Sequence, residues 1–190
     1  MLKNSPDTVK HIFRTMVEIC LRLEGFPSEA KLAYIYPAPK AGPPSITNVR
    51  PISLLEILYK LTTGWVATQI NTLAKTSPQP LCDPNQYGGL PDRHIHDPIH
   101  LAISAIEDAM ENNAPIWLAL ADVEGAYDSV STDSKSISYR AAGFPEAFIN
   151  FINNIDREAR SSVLVPSAGL SSSFSPKKGF RQGDPLSVMG

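Results

Sequence analysis

The sequence has little cysteine, no long hydrophobic run and no strong excess of charge of either sign. Two cysteines, Cys20 and Cys82, are too few for a disulfide framework or a structural zinc site, and they favour a reducing intracellular setting. No apolar stretch approaches the roughly 20 residues of a membrane-spanning helix. The first one, from Ile12 to Leu23, is interrupted by charged residues and does not resemble a signal peptide. We therefore expect an intracellular protein, nuclear or cytoplasmic, with no transmembrane segment.

Charge is distributed unevenly along the chain. The formal net charge of −2 argues mildly against a nucleic-acid-binding protein, because such proteins usually carry a basic surface. However, residues 1–75 carry 9 basic and 5 acidic side chains, residues 76–156 carry 3 and 12, and residues 157–190 carry 5 and 2. An acidic middle thus lies between two basic flanks. Solvated helix faces would explain this pattern as well as a binding surface would.

A chain of 190 residues is long enough for one domain with its own core. Helical spacing of apolar residues and helix-start signals predict helices over Ser5–Leu23, Leu54–Leu73 and Asp97–Met110, and another that begins at Pro145. Shorter β-prone runs predict strands at Lys31–Tyr36 and Ile116–Val123 and a hairpin over Val163–Phe174. The proline-rich stretch from 37 to 51 is expected to be an exposed loop.

The strand predicted at Ile116–Val123 ends in a carboxylate. Its alternate positions are Ile116, Leu118, Leu120 and Asp122, so Asp122 falls on a face that is otherwise apolar. A charge on a buried face needs a partner or a metal ion. Asp122 is therefore a candidate metal ligand at the end of a buried strand.

Three segments share an order and spacing found in one enzyme family. They are Pro39-Lys40-Ala41-Gly42 with Val49-Arg50-Pro51-Ile52-Ser53-Leu54, then Ala121-Asp122-Val123-Glu124-Gly125-Ala126-Tyr127-Asp128, and finally Gly179-Phe180-Arg181-Gln182-Gly183-Asp184-Pro185-Leu186-Ser187. Together with Asn85-Gln86-Tyr87-Gly88-Gly89, they resemble the reverse transcriptase domain of non-LTR, LINE-like retrotransposons over roughly residues 30–187.

This resemblance implies an α+β fold, the fingers and part of the palm of a right-hand polymerase, helix-rich with a small antiparallel sheet. Residues 1–115 would form the fingers and residues 116–190 part of the palm. The implied activity is RNA-directed DNA synthesis, in which two Mg²⁺ ions hold and activate the reactants during phosphoryl transfer. The implied partners are an RNA template, a DNA primer and deoxynucleoside triphosphates, and no membrane.

The resemblance also implies roles for individual residues of the central and first motifs. Asp122 corresponds to the catalytic, metal-binding aspartate, with the carbonyl of Val123 as a further ligand. Tyr127 would lie beneath the sugar of the incoming nucleotide and exclude a 2′-hydroxyl, although core packing is the alternative. Lys40 and Arg50 would contact the triphosphate, with an ordinary solvated lysine as the alternative for Lys40.

Residues of the third segment complete the implied site. Gln182 and Gly183 match the pair in which the side-chain amide contacts the nucleotide and glycine lets the backbone approach the template strand. Lys177, Lys178 and Arg181 are candidates for phosphate contacts, with ordinary surface charge as the alternative.

The sequence ends at Gly190, before the Tyr/Phe-x-Asp-Asp hairpin that supplies further metal-binding acids in the family. We therefore expect a fragment of a polymerase that is inactive by itself. One alternative is a catalytically dead remnant that still binds nucleic acid. The other is an RNA-dependent RNA polymerase, whose second motif has Ser-Gly followed by Thr where this chain has Gln182-Gly183-Asp184-Pro185.

Overall fold

The computed structural model of the chain describes residues 4–43, 45, 48–76, 81–90 and 92–188. Six α-helices lie in these ranges: α1 (Asp7–Arg22), α2 (Ile57–Thr76), α3 (His96–Glu111), α4 (Ala126–Ser129), α5 (Thr132–Ala141) and α6 (Glu146–Asp156). Four strands accompany them: β1 (Leu32–Pro39), β2 (Val49–Leu55), β3 (Arg160–Val165) and β4 (Gly169–Leu170). Short 3-10 helices cover Ser28–Lys31 and Pro185–Val188. None of these helices combines the length and apolar composition that a membrane crossing needs.

The strands form one sheet in the order β2-β1-β3-β4. β1 pairs antiparallel with β2 and β3 antiparallel with β4, whereas β1 and β3 are parallel. The predicted α+β class is confirmed, but the sheet is mixed and not purely antiparallel. The parallel pair follows from the connection, since α2 to α6 lie between β1 and β3 and return the chain to the same end of the sheet.

The helices of the structure agree well with those predicted from the sequence, but the loop predicted in the proline-rich stretch is replaced by a strand at each of its ends. α1, α2, α3 and α6 confirm the four predicted helices, with ends displaced by a few residues. The prediction of an exposed loop over residues 37–51 is wrong at both ends, because β1 continues to Pro39 and β2 begins at Val49. Pro37 lies opposite Pro51 in this hairpin. β3 pairs with β1 only as far as Ile35, so on that side of β1 no strand requires an N–H from Pro37.

The core lies between α2, α6 and the segment that precedes β1. Phe26 packs edge-to-face against Tyr59 of α2 and Phe151 of α6, with ring centroids 5.8 and 6.5 Å apart. Ile149 and Ile155 complete the buried face of α6. Because these side chains are almost fully buried, each contributes about 1.5–3 kcal/mol of apolar transfer free energy to folding.

A buried lysine fixes the start of β1 to the end of α6. The ammonium group of Lys31 donates to the carbonyl oxygens of Asn154 and Arg157, at 2.6 and 2.9 Å, and to the side chain of Asn154 at 3.1 Å. A positive charge is favourable at this position because the last carbonyls of a helix carry partial negative charge. Burial lowers the pKa of Lys31. This contact aligns the sheet with the helical core.

The segment predicted as a buried strand, Ile116–Val123, is neither a strand nor buried. All residues from 111 to 129 are exposed, including Trp117 at 93% and Leu120 at 99%. Within the described part of the chain, no main-chain hydrogen bond involves residues 115–124. The physical reason is that β-prone residues form a strand only when a neighbouring strand pairs with them, and none of the four described strands does.

Candidate nucleic-acid and nucleotide site

The glutamine loop, Lys177–Gly183, lies between two segments that are far from it in sequence. On one side, the main-chain N–H groups of Gly179 and Phe180 donate to the carbonyl oxygens of Val130 and Tyr127, at 2.8 and 2.7 Å. On the other side, the N–H of Ser53 in β2 donates to the carbonyl of Gln182 at 2.7 Å. The chain thus brings together the three segments that carry the sequence motifs.

Two glycines make these close approaches possible. A Cβ on Gly183 would lie 2.9 Å from the carbonyl oxygen of Ser53, and a Cβ on Gly179 would lie 3.1 Å from the carbonyl oxygen of Tyr127. Their φ angles of +111° and +92° also disfavour any residue with a side chain. In this structure the backbone at Gly183 approaches β2, and the predicted approach to a template strand stays a prediction.

Lys135 of α5 contacts the glutamine loop at Gly179 and Phe180. Its ammonium group donates to the carbonyl of Gly179 and to the carboxylate of Asp156, both at 2.8 Å. The same group lies 4.2 Å from the centroid of the Phe180 ring. Since the Lys135 side chain is only 4% exposed, the ion pair with Asp156 is well shielded from solvent. Lys135 is not among the residues predicted from the sequence, where its one signal is a lone lysine in a serine-rich stretch.

The C-terminal end of the loop is fixed by Asp184 and Tyr59. The hydroxyl of Tyr59 donates to a carboxylate oxygen of Asp184 at 3.2 Å, and the N–H of Leu186 donates to the other at 3.1 Å. Burial raises the pKa of Asp184, and these hydrogen bonds offset part of that effect. Burial and the Asp184 charge hold the pKa of Tyr59 well above its usual range, so its hydroxyl remains a donor at neutral pH.

A cleft of about 680 Å³ opens beside the glutamine loop. Four of the predicted site residues line it: Lys177, Lys178, Arg181 and Gln182. Pro51 and Ser53 of β2 line it as well, together with asparagines of α6 and the acidic residues Glu24, Asp128 and Asp156. The cationic and amide groups of this lining can hydrogen-bond phosphate or base atoms. Gln182 and Arg181 are half-buried, whereas the two lysines are exposed.

The remaining predicted residues occupy other positions. Lys40 and Arg50 lie in the β1–β2 hairpin, where the N–H of Lys40 donates to the carbonyl of Asn48, and both side chains are exposed. Arg50 alternates with Pro51 along β2 and therefore lies on the face opposite the cleft. The Tyr127 ring is half exposed, in the short helix α4, and its carbonyl accepts the hydrogen bond from the loop.

Asp122 and Val123 lie in the exposed segment that precedes α4. The prediction that Asp122 ends a buried strand is wrong, because the strand is absent. Among the described residues, no three His, Cys, Asp or Glu side chains converge as a metal site would require. Two Mg²⁺ ions need several carboxylate oxygens in fixed positions. The described residues therefore do not form a complete site for two Mg²⁺ ions.

The comparison with known families agrees with the geometry. The chain matches the family model described as reverse transcriptase (RNA-dependent DNA polymerase) over residues 38–189. It therefore belongs to the reverse transcriptase family. Over 140 residues it is 29% identical to the retrovirus-related Pol polyprotein from type-2 retrotransposable element R2DM of Drosophila melanogaster. This match confirms the predicted similarity to non-LTR retrotransposons and covers 74% of this chain but 13% of that polyprotein.

Replacement of Gly183 by alanine tests the contact between the loop and β2. We expect Gly183→Ala to lower the free energy of unfolding by about 2–4 kcal/mol, because it adds a steric clash to an unfavourable φ angle. Gly143→Ala is the matched control, since Gly143 has a φ of +82° but no atom within 4 Å of the added Cβ. It should cost only about 1–2 kcal/mol. Equal losses in urea denaturation would contradict the close contact.

The pH dependence of stability tests the burial of Asp184. Because folding raises the pKa of this group, the folded state binds its proton more tightly than the unfolded state does. The contribution of Asp184 to stability should therefore fall as the pH rises from the ordinary aspartate pKa through the folded-state pKa. Asp184→Asn removes this pH dependence. The stability of the variant relative to the wild type should therefore rise between about pH 4 and about pH 7. Parallel stability curves from urea denaturation would contradict the assignment.

Proposed function

We propose that the chain is part of an RNA-directed DNA polymerase that adds deoxynucleotides to a DNA primer on an RNA template. The observation that supports this most is the main-chain contact of the glutamine loop with both the Tyr127 turn and Ser53 of β2. Three segments with the family's motifs, separated by more than 40 residues in each case, thereby form one surface. Residues 1–115 would be the fingers and 116–190 part of the palm, acting in the nucleus or cytoplasm.

Gln182 is the residue best placed to contact the nucleotide. It is half-buried in the cleft, and its carbonyl is held by Ser53, which leaves its side-chain amide available for a ligand. Tyr127 lies in the turn bound to the same loop, and its ring is exposed enough to contact a sugar. Lys40 would reach the triphosphate from the β1–β2 hairpin, whereas Arg50, on the face of β2 opposite the cleft, is not proposed to contact it.

Asp122 and the carbonyl of Val123 are proposed to supply some of the Mg²⁺ ligands in the complete enzyme. Asp122 is five residues before Tyr127, whose main chain is fixed to the glutamine loop. The Mg²⁺ ions would supply charge stabilisation to the phosphoryl group. Since the described residues provide no cluster of carboxylates, catalysis would require further acids from other parts of that enzyme.

A second candidate function is supported by the same exposed segment. A reverse transcriptase relative that binds nucleic acid without catalysis would need the basic residues of the glutamine loop but not an organised metal site. The basic residues of the glutamine loop line the cleft, whereas residues 115–124 have no main-chain hydrogen bonds within the described part of the chain. Primer extension distinguishes the two functions.

The lysines of the cleft should produce a salt-dependent affinity for RNA or an RNA–DNA primer–template. Replacing both Lys177 and Lys178 by alanine should lower the slope of log affinity against log salt by about 2, because each phosphate contact contributes about one unit. Lys60→Ala is the control, since Lys60 is an exposed lysine of α2 outside the cleft. Fluorescence anisotropy across a salt series measures the slope. An identical change for Lys60→Ala would contradict binding through the cleft.

Primer extension with Mg²⁺ tests the catalytic assignment. We expect residues 1–190 alone to give no extension, because Asp122 and one carbonyl cannot hold two ions. In a longer protein that includes a Tyr/Phe-x-Asp-Asp hairpin, Asp122→Ala should eliminate synthesis, whereas Tyr127→Ala should admit ribonucleotides. Asp133→Ala, at an exposed acid of α5, is the control and should retain activity.

Three other results of the primer-extension assay would contradict these assignments. Extension by residues 1–190 would show that the metal site is elsewhere in the chain. An active longer protein that tolerates Asp122→Ala would contradict the role of Asp122. A longer protein that binds primer–template but never extends it would favour the non-catalytic function.

A further inference from the structure

Tyr59 of α2 contacts both residues that flank the Gln182–Gly183 pair. Its hydroxyl donates to Asp184 at 3.2 Å, and the guanidinium of Arg181 lies over its ring, 5.1 Å from the centroid. Tyr59 is itself 1% exposed and packs against Phe26 in the core. A single rigid side chain of the core therefore touches the chain immediately before and immediately after the predicted nucleotide-binding pair.

On the far side of this pair, Asp184 organises the start of the final 3-10 helix. One carboxylate oxygen accepts from Leu186 N–H, and the Asp184 carbonyl accepts from the N–H of Ser187 at 3.1 Å and from its hydroxyl at 2.7 Å. Asp184 N–H in turn donates to the carbonyl of Arg181 at 3.0 Å. Since all these bonds converge on one buried residue, the position of Asp184 determines where the loop ends.

On the near side, Arg181 is held within the protein. Its Nη2 donates to the carbonyl of Lys31 at 3.2 Å, while Nη1 is buried and has no hydrogen-bond partner among the described residues. Stacking on an aromatic ring favours the planar guanidinium over an ammonium group. These contacts with Tyr59 and Lys31 engage the guanidinium within the protein. This placement favours a structural role over the phosphate contact predicted from the sequence.

We propose that Tyr59 is a positioning residue that fixes Gln182 and Gly183 by holding Arg181 with its ring and Asp184 with its hydroxyl. The consequence for nucleotide binding depends on the proposed function of Gln182, whereas the effect on the loop does not. Removing the hydroxyl alone should loosen the loop while the core remains packed, because the ring still contacts Phe26 and Arg181.

Hydrogen exchange on the 190-residue chain tests the positioning role directly. The amides of Ser53 and Leu186 report on the loop, because their acceptors are Gln182 and Asp184. Tyr59→Phe should raise the exchange rates of both about fivefold, the change expected from one lost hydrogen bond. Tyr139→Phe is the matched control, since Tyr139 is equally buried in the same core but its hydroxyl has no partner among the described residues. It should leave both amides at wild-type rates.

Two results of the exchange experiment would overturn the proposal. One is wild-type exchange of Ser53 and Leu186 in Tyr59→Phe. The other is an equal rise at core amides such as that of Phe151, which would show general destabilisation and no selective effect on the loop.

A kinetic experiment on an active protein that contains this segment separates this inference from the proposed function. Tyr59→Phe should raise the KM for deoxynucleotides about fivefold with little change in kcat, because the loop is mispositioned in a fraction of molecules. Gln182→Ala should raise the KM without changing the exchange of Leu186. If Gln182→Ala leaves the KM unchanged, the proposed role of Gln182 fails. If only Gln182→Ala raises the KM, the positioning role of Tyr59 fails.

Discussion

The hydrogen bond from the Ser53 N–H to the Gln182 carbonyl joins parts of the chain that are about 130 residues apart. It forms only because Gly183 allows its backbone to come within contact distance of Ser53. Gly179 has the same function against the Tyr127 turn. Main-chain bonds of this type do not depend on side-chain rotamers, so the loop can keep its position while its side chains contact a ligand. The cleft and the predicted nucleotide contacts depend on this arrangement.

The surroundings of the loop are unusually polar for a protein interior. Lys135 bonded to Asp156, Lys31 at the end of α6, and Asp184 with Tyr59 are all buried or largely shielded groups. Burying such groups costs desolvation free energy unless each forms a hydrogen bond or an ion pair. A partner that is too far away does not offset this cost. These networks therefore contribute less to the free energy of folding than to the exact position of the glutamine loop. They restrict the loop to one arrangement relative to the sheet and to α6.

The parts of the fold that the sequence predicted are those that local rules determine. Helices α1, α2, α3 and α6 have clear apolar periodicity, and the β3–β4 hairpin has a turn with Gly169 between two β-prone runs. The family motifs also implied that Arg50, Tyr127 and Gln182 contact one nucleotide, and the main chains of their three segments do meet. What could not be predicted depends on long-range pairing. Pro37 and Pro51 suppress strand signals even though β1 and β2 pair, and Lys135 and Tyr59 have no local feature that indicates their partners.

The wrong prediction at Ile116–Val123 has the same origin. An apolar run of this length forms a strand only if a neighbour satisfies its main-chain groups, and in the described residues none does. The family motif still identifies Asp122 by position, because motif order does not require that the strand be formed. For these eight residues, sequence similarity therefore identifies the motif, whereas the secondary structure depends on pairing with another strand.

The exposed Trp117 provides an intrinsic fluorescence signal for the segment that contains it. An indole that is 93% exposed emits as it would in water, whereas Trp65 on α2 is shielded over most of its surface. Any strand, nucleic acid or other protein that covers residues 115–124 would shift the Trp117 emission to shorter wavelength and protect it from soluble quenchers. A Trp65→Phe background would leave Trp117 as the only source of that signal. The ordering of this segment can thus be followed by fluorescence, without any label and independently of enzymatic activity.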